Sequence, residues 1–246
     1  MSNPSERDQV FNEEIPKAKD FKFGANVANV FDDMVNRSVP FYEEIQRMIA
    51  ELAADYAQPG SLVYDLGCST GTTMANMSAL LPEETRMVGV DDSEEMLKKC
   101  RLKLDHLCKE NSYELVCSDI AAEGIINNAS VVVLCLTLQF VRPLQREALL
   151  KNIYSGLNSG GVLILVEKIL AENSAFNRPF IEYYYNYKRR NQYSELEISQ
   201  KREALENVLI PYRLSENIVM LNRAGFTGTE VFFKWYNFSG LIAVKE

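Results

Sequence analysis

Two short runs of glycine and carboxylate residues have the composition of a nucleoside-binding site. The first is Tyr64–Gly71 (YDLGCSTG), and the second is Gly89–Ser93 (GVDDS). Glycine allows the chain to turn sharply after a strand and lets the backbone approach a ligand closely. A carboxylate at the end of the next strand can accept hydrogen bonds from both ribose hydroxyls. We therefore predict that Asp91 is the ribose acceptor of a nucleoside site.

The first run does not match the common motifs that bind phosphate groups or dinucleotides. The first run lacks the G-K-[ST] ending of a P-loop and the full G-x-G-x-x-G spacing of a dinucleotide site. Asp92 and Ser93 also have the composition of a helix start, because Ser and Asp cap helix N-termini. We interpret Ser93 as a helix cap and Asp91 as a ligand-binding residue.

The form D-L-G-C-x-x-G resembles motif I of methyltransferases that use S-adenosylmethionine (SAM). The resemblance implies that this loop passes under the amino-acid part of SAM. A third run, Ser118-Asp119-Ile120, ends the third predicted strand. In the methyltransferase pattern, the acid there accepts a hydrogen bond from the adenine amino group, and the next residue offers its backbone amide. Together the three runs predict a SAM site, and an unrelated Rossmann-like fold is the alternative.

Strands and helices must alternate for these runs to meet at one edge of a sheet. The sequence predicts five apolar strands, at Leu62–Leu66, Arg86–Val90, Tyr113–Cys117, Ser130–Leu136 and Val162–Val166. It predicts helices between them, at residues 72–81, 94–109 and 146–157. The fourth strand is apolar throughout, which is typical of a strand covered on both faces. This alternation favours a parallel, doubly wound sheet.

Further elements flank the alternating region. Residues 1–20 are predicted to be a flexible arm, and residues 21–246 a single SAM-binding domain. Two helices within residues 21–58 and a helical insert at about residues 170–212 are expected to act as lid and dimer elements. A last helix, Ser215–Ala224, precedes the strands Thr229–Trp235 and Gly240–Lys245, whose short connection predicts an antiparallel hairpin. The predicted fold class is α/β, a Rossmann-like class I methyltransferase fold with seven strands, a mostly parallel sheet, a C-terminal antiparallel hairpin and a helical lid.

Charge and composition argue against several classes of function. The 246 residues carry a net charge of −8, whereas a protein that grips nucleic acid needs a basic surface. We therefore expect a small-molecule substrate and no direct nucleic-acid partner. The five cysteines lack metal-ligand spacing and the single histidine lies in a charged helical stretch, so we expect free thiols and no metal. No apolar run is long enough to span a bilayer, which predicts a cytoplasmic protein with no membrane partner.

Nearly the whole chain resembles the carboxy-S-adenosylmethionine (carboxy-SAM) synthase family. The matching stretches are Val30–Tyr42, Val63–Ser69, Leu136–Phe140, Tyr193–Val208 and Tyr236–Gly240. The run YSELEISQKR is the most specific, because it lies outside the shared SAM motifs. The resemblance implies an enzyme that converts SAM and prephenate to carboxy-SAM and phenylpyruvate, in which an ylide formed from the SAM methyl group captures carbon dioxide lost by prephenate. It also implies a role in supplying wobble-uridine modification of tRNA.

The resemblance assigns roles to individual residues. Arg202 matches the arginine that pairs with the new carboxylate, and its planar guanidinium suits bidentate binding. Without the resemblance, Arg202 would be interpreted as a surface residue on a charged helix. Tyr42 matches a lid tyrosine that touches SAM, and no residue is an obvious catalytic base. The predicted residues for binding SAM or carboxy-SAM are Tyr42, Asp65, Gly67, Cys68, Ser69, Asp91, Asp92, Asp119, Ile120, Cys135 and Arg202.

Three positions depart from the family pattern. Cys135 stands where the family has an asparagine that contacts SAM, and cysteine is a weak hydrogen-bonding group. Phe41 and Gln192 each replace a glycine, which restricts the backbone near the lid. Two alternatives therefore stay open: a methyltransferase or carboxy-SAM-using transferase that acts on a small molecule, and a non-catalytic SAM-binding partner protein.

The helical insert carries two further predictions. Residues Phe176–Tyr193 are rich in tyrosine and contain arginine, and both residue types are enriched in interfaces. Because the similar family forms homodimers, we predict a homodimer that uses this insert. The cations Lys188, Arg189, Arg190 and Lys201 either attract a dianionic substrate or form a solvated helix face.

Overall fold

A mostly parallel sheet forms the centre of the molecule, with helices on both faces. The computed structural model describes residues 7–14, 20–109 and 112–246. The strands are β1 (Leu62–Leu66), β2 (Arg86–Asp91), β3 (Tyr113–Cys117), β4 (Ala129–Cys135), β5 (Leu157–Leu170), β6 (Tyr212–Arg213), β7 (Gly228–Trp235) and β8 (Phe238–Val244). Their order is β3-β2-β1-β4-β5-β8-β7, and β6 pairs with the end of β5. Strands β1 to β5 pair in parallel, whereas β8 is antiparallel to both of its neighbours.

Helices precede, separate and cover the strands. They are α1 (Ala25–Ala28), α2 (Phe31–Ser38), α3 (Tyr42–Tyr56), α4 (Thr72–Ser78), α5 (Glu94–Leu107), α6 (Pro143–Gly156), α7 (Asn177–Arg190), α8 (Glu195–Leu205) and α9 (Leu214–Ala224). In the described part of the chain, no helix combines the length and the apolar character needed to cross a bilayer.

Strand β4 shows why the sheet is covered on both faces. Its side chains alternate between two apolar clusters: Val131 and Val133 pack on one side, and Val132 and Leu134 on the other. All four are fully buried. Successive residues of a strand point to opposite faces, so a strand buried on both faces must be apolar at every position. This confirms the interpretation of the continuous apolar run.

The predicted parallel sheet and the C-terminal hairpin are confirmed, with differences at the ends of elements. Strand β5 is longer than predicted, because Leu157 pairs with Ala129 across an irregularity and Lys168 pairs with Phe238. The sheet has eight strands instead of the predicted seven, because β6, which is only two residues long, was not predicted. Helix α6 begins at Pro143 instead of residue 146, since proline suits the first turn, where its missing N–H is not needed.

The N-terminal segment differs from the prediction of a flexible arm over residues 1–20. Asp8 is 2% exposed, and its carboxylate accepts a hydrogen bond from the Tyr193 hydroxyl at 2.5 Å. Backbone carbonyls of Phe11 and Glu13 accept hydrogen bonds from the Gln200 amide. Residues 7–14 are therefore packed against the insert. The rest of the predicted arm, apart from Asp20, lies outside the described residues.

Replacing Phe41 with glycine should stabilise the protein. Phe41 adopts a left-handed conformation (φ 56°, ψ 35°) directly before α3, and its side chain is 58% exposed. This conformation costs a non-glycine residue about 1–2 kcal/mol, and the greater freedom of glycine in the unfolded chain offsets part of the gain. We expect calorimetry to show a melting temperature higher by about 2–4 °C. Phe41→Ala is the control: it loses the ring but keeps the Cβ, and an equal rise there would rule out backbone strain.

Candidate SAM site

A cavity of about 610 Å³ lies at the carboxyl edge of the sheet, beneath the N-terminal helices and the insert. Its volume is in the range of small-molecule sites. The structure brings together at its wall ten of the residues predicted from the sequence: Tyr42, Gly67, Cys68, Ser69, Asp91, Asp92, Asp119, Ile120, Cys135 and Arg202. Asp65 is the exception and lies behind the wall.

The loop after β1 is fixed to the end of β2. The amides of Gly67 and Cys68 donate to the Val90 carbonyl at 2.7 and 3.1 Å, and the Ser69 amide donates to Asp91 Oδ2 at 2.9 Å. Gly67 has φ +78°, and a Cβ there would lie 2.6 Å from Thr137 Oγ1. The sharp turn and the tight packing both require glycine at this position.

Asp91 connects the loop after β1 to the start of α5. Its Oδ1 accepts from the Ser93 amide at 2.9 Å, so the carboxylate receives two backbone hydrogen bonds. Burial raises the pKa of Asp91, and these two amides oppose the rise. The Ser93 hydroxyl accepts from the Met96 amide, which confirms Ser93 as the helix cap. Each carboxylate oxygen can accept more than one hydrogen bond, which leaves Asp91 able to bind a ribose.

Asp65 is buried at 1% exposure, and its Oδ2 has no hydrogen-bond partner in the described part of the chain. Burial, followed by the charge of Asp91, raises the pKa of Asp65 to about 8. A buried carboxyl group without a partner is expected to hold a proton, because the charged form is poorly solvated. Asp65 thus adds no second charge beside Asp91.

The far end of the cavity is formed by the third strand and by aromatic residues. Asp119 Oδ1 accepts from the Ala121 amide at 2.8 Å, and Ile120 adjoins it. Four phenylalanines that sequence analysis missed also line the cavity: Phe21, Phe23, Phe31 and Phe140. The Phe23 ring packs against each of the other three, with centroids 5.1–6.2 Å apart. Two signals could have revealed them: the F-x-F spacing of the first two, and the position of Phe31 and Phe140 within stretches that resemble the family.

The opposite end of the cavity is basic. Lys188 and Lys201 are buried at 5% and 7% exposure, so they are not part of a solvated helix face. Arg189, by contrast, forms surface ion pairs with Glu182 and Glu195. Arg202 reaches the cavity but is exposed to solvent, and it has no hydrogen-bond or ion-pair partner within the described ranges. Lys168, which sequence analysis missed, also lines this end.

The described residues fit SAM. Carboxylates at the ends of β2 and β3 can accept from the ribose and from adenine, and apolar and aromatic side chains surround them. The described residues contain no group of three or more His, Cys, Asp or Glu side chains that could hold a metal ion. The expectation that no metal takes part stays a prediction.

Comparisons with known proteins identify the family. Residues 63–161 match the family model described as a methyltransferase domain. A carboxy-S-adenosyl-L-methionine synthase from Methylococcus capsulatus is 55% identical over 97% of this chain and 99% of its own. Enzymes of the same name from Desulfotalea psychrophila and Helicobacter hepaticus are 44% and 43% identical over 97% of this chain. The chain belongs to the carboxy-SAM synthase family.

Solved structures place this carboxy-SAM synthase family member in the class I methyltransferase fold, as predicted. An O-methyltransferase family protein from Burkholderia thailandensis has a TM-score of 0.67 and 16% identity, covering 89% of this chain and 60% of its own. Human N-acetylserotonin methyltransferase in complex with SAM has a TM-score of 0.60 and 15% identity, covering 90% of this chain and 55% of its own. At such identities the likeness concerns the fold alone.

At position 135 the chain departs from the carboxy-SAM synthase pattern noted in the sequence. The Cys135 thiol lines the cavity and accepts from the Gln46 amide at 3.5 Å. Burial raises its pKa, so the thiol stays protonated. The Gln46 Oε1 has no partner in the described part of the chain. The side chain at this position can therefore offer SAM only a thiol, which is a weak hydrogen-bonding group.

Asp91→Ala should weaken SAM binding about tenfold or more. The change removes a ribose acceptor, and hydrogen bonds to a charged group are worth about 1.5–3 kcal/mol each. Calorimetric titration with SAM measures the effect. Glu94→Ala is the control, because Glu94 is an exposed carboxylate at the start of the next helix and does not line the cavity. If the Asp91→Ala protein folds and its SAM affinity is unchanged, Asp91 holds the loop in place but does not bind the ribose.

Proposed function

We propose that this protein is an enzyme that converts SAM and prephenate to carboxy-SAM and phenylpyruvate. The observation that carries the proposal is the full-length match to carboxy-SAM synthases, which includes the segment around Arg202. Bound SAM would supply the methyl group that receives a carboxyl group from prephenate. The side chains of the protein would hold the two molecules together, exclude water and offset the negative charge.

The elements over the sheet edge would exclude water. The phenylalanine group covers the end of the cavity near β3, and Tyr42 lies in its wall at 9% exposure. Water is a competing proton source for a carbanion-like centre, so a closed and largely apolar site favours carboxyl transfer.

The cations at the opposite end support carboxyl transfer over ordinary methyl transfer. Sulfonium already carries positive charge, so a methyltransferase has no evident use for further cations near the SAM methyl group. Arg202 has no anionic partner within the described ranges, and Lys188 and Lys201 line the same end. An acidic substrate and a carboxylated product both benefit from these charges.

Incubation with SAM and prephenate, followed by mass spectrometry, tests the proposal. We expect a product heavier than SAM by one carbon dioxide, together with phenylpyruvate, and no product when prephenate is omitted. Methylation of an added small molecule without carboxy-SAM formation would favour the methyltransferase alternative. SAM binding with no turnover of either kind would favour a non-catalytic partner protein.

We also propose a homodimer formed through the insert. Exposed apolar side chains cluster where α7 meets the β7–β8 turn: Phe176, Ile181, Tyr183 and Tyr236 are 40–54% exposed. The rings of Phe180 and Tyr183 pack against Tyr236 at 5.2 and 4.9 Å. A contiguous apolar patch on a protein surface is typical of an interface, and a second copy of the chain is the occupant that we propose.

Charge introduced into this patch should separate the dimer. Tyr183→Glu would place an unpaired carboxylate in the proposed interface, and we expect light scattering to change from a dimeric to a monomeric mass. Leu144→Glu is the control, since Leu144 is 98% exposed on α6, outside the patch. A monomeric wild-type protein at micromolar concentration would contradict the proposal.

We further propose that the product serves tRNA modification in the cytoplasm. The first part is supported by the resemblance to the family. The second is supported by the free state of all five cysteines, which is usual in a reducing compartment.

A further inference from the structure

Two amines line the cavity on the side away from the nucleoside-binding carboxylates. Lys168 lies on β5 and Lys188 on α7. In the sheet, β4 separates β5 from β1, whereas β2 and β3 lie on the other side of β1. The predicted adenine and ribose contacts belong to β3 and β2. Lys168 and Lys188 therefore border the part of the cavity into which the reactive end of SAM would point.

Both amines contact the same aromatic ring, and neither contacts an anion within the described ranges. The Nζ atoms of Lys168 and Lys188 lie 4.9 and 4.7 Å from the centre of the Tyr184 ring. The Nζ of Lys188 is also 5.2 Å from the centre of the Tyr185 ring. Neither amine has a hydrogen-bond or ion-pair partner among residues 7–14, 20–109 and 112–246. Ring contacts of this kind replace only part of the hydration that an ammonium group loses.

The nearby Lys201 shows the contrast with a paired amine. Its Nζ donates to Ser38 Oγ at 3.1 Å and lies 3.6 Å from Asp8 Oδ2. Asp8 thus supplies a counter-charge for Lys201 from within the chain. Lys168 and Lys188 have no such carboxylate in the part of the chain that the structure describes, although Lys188 is 5% exposed.

These surroundings lower the pKa of both amines. Burial, and then the charges of Lys201, Lys168 and Arg202, lower the pKa of Lys188 to about 7. Burial alone lowers the pKa of Lys168 to about 8. Buried charges are normally paired, because desolvation is costly. Two unpaired amines beside one ring therefore lack two negative charges, which a ligand can supply.

Lys168 is also held firmly in place. Its backbone amide donates to Gln139 Oε1 at 3.0 Å, and Gln139 Nε2 donates to the Leu136 carbonyl at 3.1 Å. Gln139 is 4% exposed and lines the same cavity. The loop after β4, which borders the SAM site, is thereby tied to the strand that carries Lys168. Such a tie fixes the backbone that carries the Lys168 side chain relative to the SAM site.

We propose that Lys168 and Lys188 bind the two carboxylates of the second substrate, a small dicarboxylate whose body lies against Tyr184. The inference rests on the proposed function, in which the second substrate is prephenate, a dicarboxylate. The two amines act in substrate binding and orientation. The new carboxylate of the product would instead be bound by Arg202 on α8.

The experiment measures prephenate and SAM separately. Prephenate is titrated by calorimetry into protein saturated with S-adenosylhomocysteine, which lacks the methyl group and so permits no turnover. Lys168→Met and Lys188→Met should each weaken prephenate binding about tenfold or more, because each removes a charge-assisted contact. SAM affinity should equal that of the wild type. Lys188→Met should melt at the wild-type temperature or higher without ligand, since an unpaired buried charge has been removed. Lys168→Met, whose lysine is half-buried, should melt at the wild-type temperature.

Lys245→Met is the matched control. The Lys245 Nζ lies 4.9 Å from the centre of the Tyr154 ring, a geometry like that of Lys168, but outside the cavity. The Lys245→Met protein should bind prephenate as tightly as the wild type does. Wild-type prephenate affinity in both cavity variants, or a loss of SAM affinity equal to the loss of prephenate affinity, would overturn the inference.

The same variants separate this inference from the proposed function. If the wild type forms carboxy-SAM and the cavity variants do so with an unchanged KM for prephenate, the lysine site is wrong and the function stands. If the wild type binds prephenate through these lysines but forms no carboxy-SAM, the site stands and the proposed reaction is wrong.

Discussion

Replacing Arg202 with alanine is expected to weaken carboxy-SAM binding about 30-fold while SAM binding stays close to that of the wild type. Carboxy-SAM carries a carboxylate that SAM lacks, and Arg202 is the cavity-lining arginine that matches the family's carboxylate partner. Removing one partner of such a pair costs about 2–5 kcal/mol. We expect the lower end, because Arg202 is exposed to solvent. The ratio of the two affinities, measured by calorimetry, is the decisive quantity.

Two further variants make the Arg202 measurement specific. Arg142 also lines the cavity, but it donates to the Asn207 carbonyl, so Arg142→Ala should not discriminate between the two ligands. Arg202→Lys keeps the charge and loses the planar fork, and should recover only part of the selectivity. Equal, small effects of Arg202→Ala on both ligands would return Arg202 to the role of a surface residue.

Gly67→Ala should weaken SAM binding about tenfold or more. The left-handed conformation costs alanine about 1–2 kcal/mol, and the new methyl group would overlap the Thr137 side chain, at a further cost of about 1–3 kcal/mol. The loop can relieve both only by moving away from the position in which it lines the cavity. Calorimetric titration with SAM measures the loss, and thermal melting shows whether the protein is still folded.

A second glycine, Gly124, separates the cost of the left-handed conformation from the cost of the overlap with Thr137. Gly124 has φ +77°, nearly the value at Gly67, but a Cβ there meets nothing within 4 Å. Gly124→Ala should therefore lower the melting temperature slightly and leave SAM affinity unchanged. Thr137→Ser combined with Gly67→Ala removes one of the overlapping atoms and should restore part of the affinity. If Gly67→Ala binds SAM normally, close packing of the loop is not required for the ligand.

Local pattern was sufficient to predict most of the sheet. Strands β1 and β3 have the predicted bounds, because each is a short run of mostly strand-forming residues set off by turn residues. The end of β5 was not predictable from its own residues, since Lys168 is in the strand only through its pairing with Phe238. Likewise, β6 exists only because Tyr212 pairs with Ile169. Both depend on partners that are distant in sequence.

The residues of the site likewise divide into those that could be predicted from the sequence and those that could not. Gly67, Asp91 and Asp119 follow strands of one parallel sheet, and carboxyl ends of parallel strands meet at one edge, so their meeting could be predicted. The burial of Lys188 could not, because it lies in a run of basic residues that also contains the surface residue Arg189. Helical position decides which of them faces the cavity, and the aromatic residues of α7 do not mark one face, because tyrosines stand at three consecutive positions, 183 to 185.

The packing of Asp8 has a consequence for the order in which the chain matures. Its partner Tyr193 lies 185 positions later, so this contact can form only after most of the chain has been synthesised. Strand β8, the last strand, then pairs with β5 inside the sheet. A chain that ends before Phe238 would expose the long apolar β5 as an unpaired edge, which is a template for aggregation. Such a fragment is expected to be insoluble rather than a weaker binder of SAM.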